Sequence, residues 1–137
     1  EVRTIDAERT FWDKVVILHG LRNWFETRGE LKQDGQRISR HYYDLHCMLE
    51  TDAGRAAVAD LELGADCVAH AKTFFNRPDF NLGTAKPGTF ALAPPADMAA
   101  RLGGDYKNTE AMIFGEAPSF DAILDSIAAL EDQLNQT

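Results

Sequence analysis

Apolar residues recur at every third or fourth position between Phe11 and Phe25, and this spacing constrains the fold more than any other feature of the chain. The residues that keep the spacing are Phe11, Val15, Leu18, Leu21 and Phe25, and the residues that widen the apolar face are Trp12, Val16 and Ile17. A face this wide predicts a central, largely buried helix. Asp6 is its predicted N-cap, and the helix should end near residue 28.

The same period recurs downstream, which predicts an all-α bundle of five or six helices. The further predicted helices cover residues 38–50, 51–64, 65–76, 95–114 and 118–134. Thr51-Asp52 and Pro118-Ser119 are predicted helix starts, and Gly103-Gly104 should interrupt or bend its helix. Residues 79–95 are rich in proline and glycine, so we expect an extended excursion laid over the bundle, with a short β-pairing as one option.

Length and composition indicate one globular domain over residues 1–137, with no apolar run long enough to span a bilayer. The chain begins at Glu1 without methionine or an export signal, so we read it as a piece of a longer protein. Cys47 and Cys67 are too few for a disulfide framework and are predicted to be buried free thiols. Together these features favour the cytoplasm.

Two blocks place charged groups beside large aromatics within helical, apolar runs. They are Glu8-Arg9-Thr10-Phe11-Trp12-Asp13-Lys14 and Arg40-His41-Tyr42-Tyr43-Asp44-Leu45. A charge in such a run is costly unless it is paired or faces a cavity, so the blocks indicate a site. Lys14 is either a snorkelling lysine or a phosphate contact, and Arg40 and Asp44 are either an intrahelical ion pair or part of the site.

A net charge of −8 argues against the whole chain being a nucleic-acid clamp. Basic residues are nevertheless frequent in the first third. Either they solvate an ordinary surface, or they edge a phosphate-facing one. The residues concerned are Arg22, Arg28, Lys32, Arg37 and Arg40.

Two other constellations offer rival chemistry. Arg40 and His46 fit the loose Arg-x(4–6)-His pattern of HEPN ribonucleases, which are helical and usually act as dimers. Cys67 and His70, with His46 and Cys47, include the residue types that bind zinc. The second arrangement is awkward, because adjacent residues of a helix point about 100° apart.

The two blocks closely resemble the C-terminal half of the AbiEii/AbiGii toxin family, bacterial nucleotidyltransferases of abortive-infection and type IV toxin–antitoxin systems. The resemblance continues almost to the end of the chain. Its further segments are Lys86-Pro87-Gly88-Thr89-Phe90-Ala91-Leu92, Gly104-Asp105-Tyr106, Ala111-Met112-Ile113-Phe114-Gly115 and Pro118-Ser119-Phe120-Asp121-Ala122-Ile123-Leu124.

The resemblance implies a two-lobe enzyme that transfers nucleotides from NTP to RNA, with tRNA as the expected acceptor, Mg²⁺ as cofactor and an antitoxin as a possible partner. Lys14 then matches a lysine that holds nucleotide phosphates, and Asp44 matches a catalytic aspartate with Arg40 beside it. His19 and Arg37 are candidates for supporting roles. The implied N-terminal lobe carries the metal-binding aspartates, so no metal site is expected here and the chain alone should be inactive.

A non-catalytic helical module that binds a protein partner is the alternative reading. It predicts an open apolar groove near Trp12, Trp24 and Phe25, with Lys14 pointing away from it. The enzymatic reading instead predicts that Lys14 and Asp44 converge on one surface.

Overall fold

The computed structural model describes residues 2–29, 38–74, 80–110 and 118–136, and the part it describes is all-α. Its helices are α1 (Val2–Arg28), α2 (Ser39–Met48), α3 (Asp52–Ala59), α4 (Leu61–Phe74), α5 (Ala96–Glu110) and α6 (Phe120–Leu134), with one 3₁₀ turn at Leu82–Thr84. The predicted helical bundle is therefore confirmed. None of the described helices has the length and apolar character needed to cross a membrane.

Helix α1 lies at the centre of the bundle and packs against α2, α3 and α4, while α2 packs in turn against α5 and α6. Its predicted apolar face is buried, with Phe11, Val15 and Leu18 fully inaccessible. Burying a side chain of this size stabilises the fold by roughly 1.5–3 kcal/mol relative to exposing it. Ile17 is the exception to the predicted face, because 37% of it is exposed.

The helix starts follow the predicted caps in part. The side chains of Thr51 and Ser119 accept hydrogen bonds from the backbone of Gly54 and Ala122, as expected for N-caps. Asp6 is not an N-cap, because α1 already begins at Val2. The N-terminus of α2 is capped by a residue that is distant in the sequence. The buried Asp105 of α5 accepts a hydrogen bond from the Ser39 N–H at 2.8 Å.

Three predicted features of the middle of the chain were wrong. Helix α3 ends at Ala59 rather than near Gly64, and the Asp60 carboxylate caps α4 by accepting the Leu63 N–H at 3.1 Å. Helix α5 runs through Gly103-Gly104 without interruption. Cys47 is exposed, and only Cys67 is buried.

The segment from 80 to 95 crosses the bundle as predicted, but in its described residues it contains a 3₁₀ turn and bends and no β-pairing. Side chains at the end of α6 bind its backbone instead. Asn135 Oδ1 accepts the N–H groups of Gly88 and Phe90, both at 3.0 Å, and Glu131 Oε1 accepts that of Ala93 at 2.9 Å. The segment is thereby fixed between α1 and α6.

Candidate functional site

The packing of α1 against α2 brings together the two charged side chains that the sequence singled out. Lys14 Nζ lies 3.2 Å from Asp44 Oδ2. The pair is partly withdrawn from solvent, with the Lys14 side chain 20% exposed and that of Asp44 28% exposed. The two residues therefore converge on one surface, as the enzymatic reading predicted.

His41 is a second partner of the Lys14 ammonium, because its Nδ1 lies 3.1 Å from Nζ. An ammonium group can only donate hydrogen bonds, so His41 Nδ1 must accept, and the ring is neutral with its proton on Nε2. Burial, the positive charge of Lys14 and that of Arg40 all lower the pKa of His41, while the Asp44 carboxylate raises it. The net shift is downward, which agrees with the neutral ring.

Arg40 lies at the edge of this cluster. Its Nε is 3.9 Å from Asp44 Oδ2, at the limit of an ion pair, and its side chain is 67% exposed. A pair this long and this exposed contributes little to stability, so most of the guanidinium remains available to a ligand. Arg37, the other predicted supporting residue on this side, lies outside the described residues.

The charges of the cluster leave it a net cation. Lys14 and Arg40 together outweigh the single carboxylate of Asp44, and His41 adds an acceptor without adding charge. The ammonium has three N–H donors; one is hydrogen-bonded to His41, and Asp44 is its ion-pair partner. A remaining donor and the exposed guanidinium are what the cluster can offer to an anionic group such as phosphate.

His19 does not contact this cluster and instead binds the crossing segment. Its Nδ1 accepts the Ala91 N–H at 3.1 Å, and its Nε2 lies 3.1 Å from Asn81 O and 3.0 Å from Thr84 Oγ1. A backbone N–H can only donate, so the ring is neutral with its proton on Nε2. Burial lowers the pKa of His19, and the role of this residue is structural.

The rival readings find weaker support in the geometry. His46 Nδ1 lies 2.8 Å from Ser126 Oγ, so that histidine is engaged with α6. Of the residues that the structure describes, no three His, Cys, Asp or Glu side chains form a group able to hold a metal ion. Burial raises the pKa of Cys67 to about 11, which keeps its thiol protonated at neutral pH.

Of the three aromatics predicted to border an open apolar groove, Trp12 lines a small apolar pocket together with Leu61, Gly64 and Phe90. Trp12 is 1% and Phe25 9% exposed, so both belong to the core. Trp24 packs against Phe80 with ring centroids 5.8 Å apart, and the Arg28 guanidinium lies 4.5 Å from the centre of its ring.

Some basic residues of the first third of the chain are engaged with other residues of the fold, and one is largely exposed. Arg22 donates to Ala93 O at 2.6 Å and pairs with Glu26 at 2.8 Å, and Arg28 lies over Trp24. These two are therefore engaged within the fold, and Lys32 lies outside the described residues. Of the five, only Arg40 is described as an exposed cation beside the Lys14–Asp44 pair.

Two residues that organise this cluster were not predicted to do so from the sequence. His41 precedes Asp44 by three positions and so shares its helical face, a signal that was present in the sequence. Asp105 caps the helix that carries both residues, but it comes from α5, and no local pattern links it to Ser39.

Comparison with curated proteins finds no match to this chain, and comparison with solved structures finds none. A family model does match, over residues 1–126, and it describes the nucleotidyl transferase AbiEii toxin of type IV toxin–antitoxin systems. The match covers α1 to α5 and the beginning of α6, including every residue of the cluster. The chain therefore belongs to the AbiEii family of nucleotidyltransferase toxins.

Proposed function

We propose that this chain is the helical lobe of a nucleotidyltransferase toxin that transfers nucleotides from NTP to an RNA acceptor, with tRNA as the expected class. In this proposal Lys14 and Arg40 bind the nucleotide phosphates, and Asp44 is the catalytic residue. A second lobe, N-terminal to Glu1 in the parent protein, supplies the metal-binding carboxylates. An antitoxin is the regulatory partner that the family implies.

One observation carries the proposal: Lys14 and Asp44 come from different helices and meet at 3.2 Å beside an exposed arginine. Ion pairs that only stabilise a fold do not require a second, neutral acceptor on the lysine or a free cation next to it. A cluster with a net positive charge and an unengaged N–H donor suits a triphosphate, whose negative charge grows on the leaving group during transfer.

Mg²⁺ is usually bound through one or two carboxylates together with substrate phosphates, and among the described residues no three His, Cys, Asp or Glu side chains form a group that could hold a metal ion by themselves. The proposal therefore gives metal binding to the other lobe. The part of this chain is to bind and orient the nucleotide against that lobe. Because the metal-binding carboxylates are assigned to the other lobe, this chain should be inactive when it is alone.

The test is nucleotide transfer to RNA by the parent protein, measured as incorporation of labelled NMP into tRNA with each of the four NTPs and Mg²⁺. Lys14→Met and Asp44→Asn should each reduce transfer by about 100-fold or more, because the first removes a cation that stabilises the developing negative charge and the second removes the proposed catalytic carboxylate. Arg40→Met should reduce it less, by about tenfold, since its contact is at the exposed edge.

The matched control is an ion pair between α1 and α4, away from the cluster. Arg9 Nη1 lies 2.8 Å from Asp66 Oδ2 of α4, and both side chains are solvent-accessible. Arg9→Met and Asp66→Asn repeat the same chemical changes away from the cluster and should leave transfer unchanged. Equal losses from both pairs of variants would show that the effect is structural, and full activity of Lys14→Met would refute the proposal.

A further inference from the structure

His41 shares the Lys14 ammonium with Asp44, and no role follows for it from the family match. We propose that His41 is a positioning residue, which fixes the direction of the Lys14 ammonium so that a remaining N–H donor faces the nucleotide phosphate. The inference rests on the proposed function, because it concerns the same cation. It adds His41 to the proposed site and gives a physical reason for a histidine at this position.

The geometry of the ammonium carries the argument. His41 Nδ1 accepts a hydrogen bond from Nζ at 3.1 Å, and Asp44 Oδ2 is an ion-pair partner of Nζ at 3.2 Å, so the ammonium is held by two groups of α2. The hydrogen bond to His41 takes one of its three donors and restricts the directions of the other two. A lysine on a flexible four-carbon stem would otherwise lose rotamer freedom on binding phosphate, and ordering it beforehand removes that cost from binding.

Charge explains why the second acceptor is a neutral ring. A carboxylate at position 41 would also accept a hydrogen bond, but with Asp44 it would cancel the charges of Lys14 and Arg40 and remove the attraction for phosphate. An unprotonated imidazole orients the ammonium and leaves its charge intact. His41 sits three positions before Asp44 on α2, so both acceptors approach Lys14 from one helical face.

The experiment compares three substitutions of His41 in the 137-residue chain, with ATP as the probe and isothermal titration calorimetry as the measurement. Asn carries an acceptor close to the position of Nδ1 and stays neutral, Asp has the same shape with a negative charge, and Leu has no acceptor. His41→Asn should bind ATP within about twofold of the unmodified chain, whereas His41→Leu and His41→Asp should bind about tenfold more weakly. Thermal unfolding of each variant reports on the fold.

Lys14→Met separates failure of this inference from failure of the proposed function. If Lys14→Met abolishes ATP binding while His41→Leu and His41→Asp bind like the unmodified chain, His41 has no positioning role and the proposed function stands. If Lys14→Met binds ATP as well as the unmodified chain does, or if the unmodified chain binds none at millimolar concentration, both are wrong. Should His41→Leu fail to fold, the nearly isosteric Asn and Asp variants decide the question.

Discussion

Neighbouring residues of α1 have different roles: Lys14 belongs to the charged cluster, whereas Trp12 is part of the closely packed core. Its ring is 1% exposed and its Nε1 donates to Ala57 O at 2.8 Å. The same ring lies against Gly64 of α4, where an added Cβ would come within 2.8 Å of its atoms. Gly64 was predicted to end a helix, but its function is to let α4 approach the tryptophan.

Replacing Gly64 with alanine should therefore destabilise the protein, although alanine favours a helix over glycine by about 1 kcal/mol. We expect the free energy of unfolding to fall by about 1–3 kcal/mol, because the ring is enclosed and overpacking costs that much. Chemical denaturation measures the change.

The matched control is Gly104→Ala in α5, where an added Cβ would meet nothing within 4 Å. That variant should gain about 0.5–1 kcal/mol from helix propensity. If Gly64→Ala proved as stable as Gly104→Ala, α4 would not pack against Trp12 as closely as the structure indicates.

At the scale of elements, the crossing segment from 80 to 95 shows how a stretch without helix or strand is held in place. Its backbone has few partners of its own, and unpaired buried N–H and C=O groups are costly. His19 and Arg22 of α1, Glu131 of α6 and Asn135, which directly follows α6, supply the missing partners. The segment therefore depends on four side chains from two parts of the chain that are far apart in the sequence.

Asn135→Ala should lower the free energy of unfolding by about 1–2 kcal/mol, because it removes three hydrogen bonds to the backbone of Gly88 and Phe90. Thermal or chemical denaturation measures the loss. Gln133→Ala, at an exposed position of α6, should change stability by no more than about 0.5 kcal/mol. Equal stability of the two variants would mean that Asn135 does not hold the segment.

The elements themselves were largely predictable from the sequence, because apolar spacing and capping residues are local signals. The stripe of α6 and the caps Thr51 and Ser119 are examples. The boundary between α3 and α4 was missed because an alanine-rich run is equally helical on both sides of Asp60. The capping of α2 by Asp105 was not predictable at all, since it depends on how α5 packs against α2.

At the scale of the whole molecule, the site is a small cationic cluster on a chain with a net charge of −8. Lys14 and Asp44 could be predicted as a pair because each sits in a block with a family resemblance. His41 could not be given its role in the same way, since its partner lies on another helix and only the packing of α1 on α2 brings them together.

The two neutral histidines predict how stability depends on pH. Burial lowers the pKa of both His19 and His41 in the folded chain, so the fold disfavours their protonation. Their contribution to the free energy of unfolding is fully present above the pKa of about 6.5 that histidine has in the unfolded chain. It is lost as the pH falls toward the lower pKa values of the folded chain. The melting temperature should therefore hold steady above neutral pH and decline on acidification below it.

His19→Gln should reduce the slope of that decline, because it removes one of the two groups while keeping a donor for Asn81. Melting curves recorded from neutral pH to about pH 5.5 give the comparison. An unmodified chain whose melting temperature did not change over this range would show that neither ring is held neutral by the fold.

The most direct test of the account is a double-mutant cycle on Lys14 and Asp44, measured as nucleotide transfer by the parent protein. When two groups act as a unit, removing either one already removes most of their joint effect on the rate. The double variant should therefore be no slower than the slower of Lys14→Met and Asp44→Asn. Independent losses that multiply in the double variant, or single variants that transfer at the normal rate, would contradict a shared site between α1 and α2.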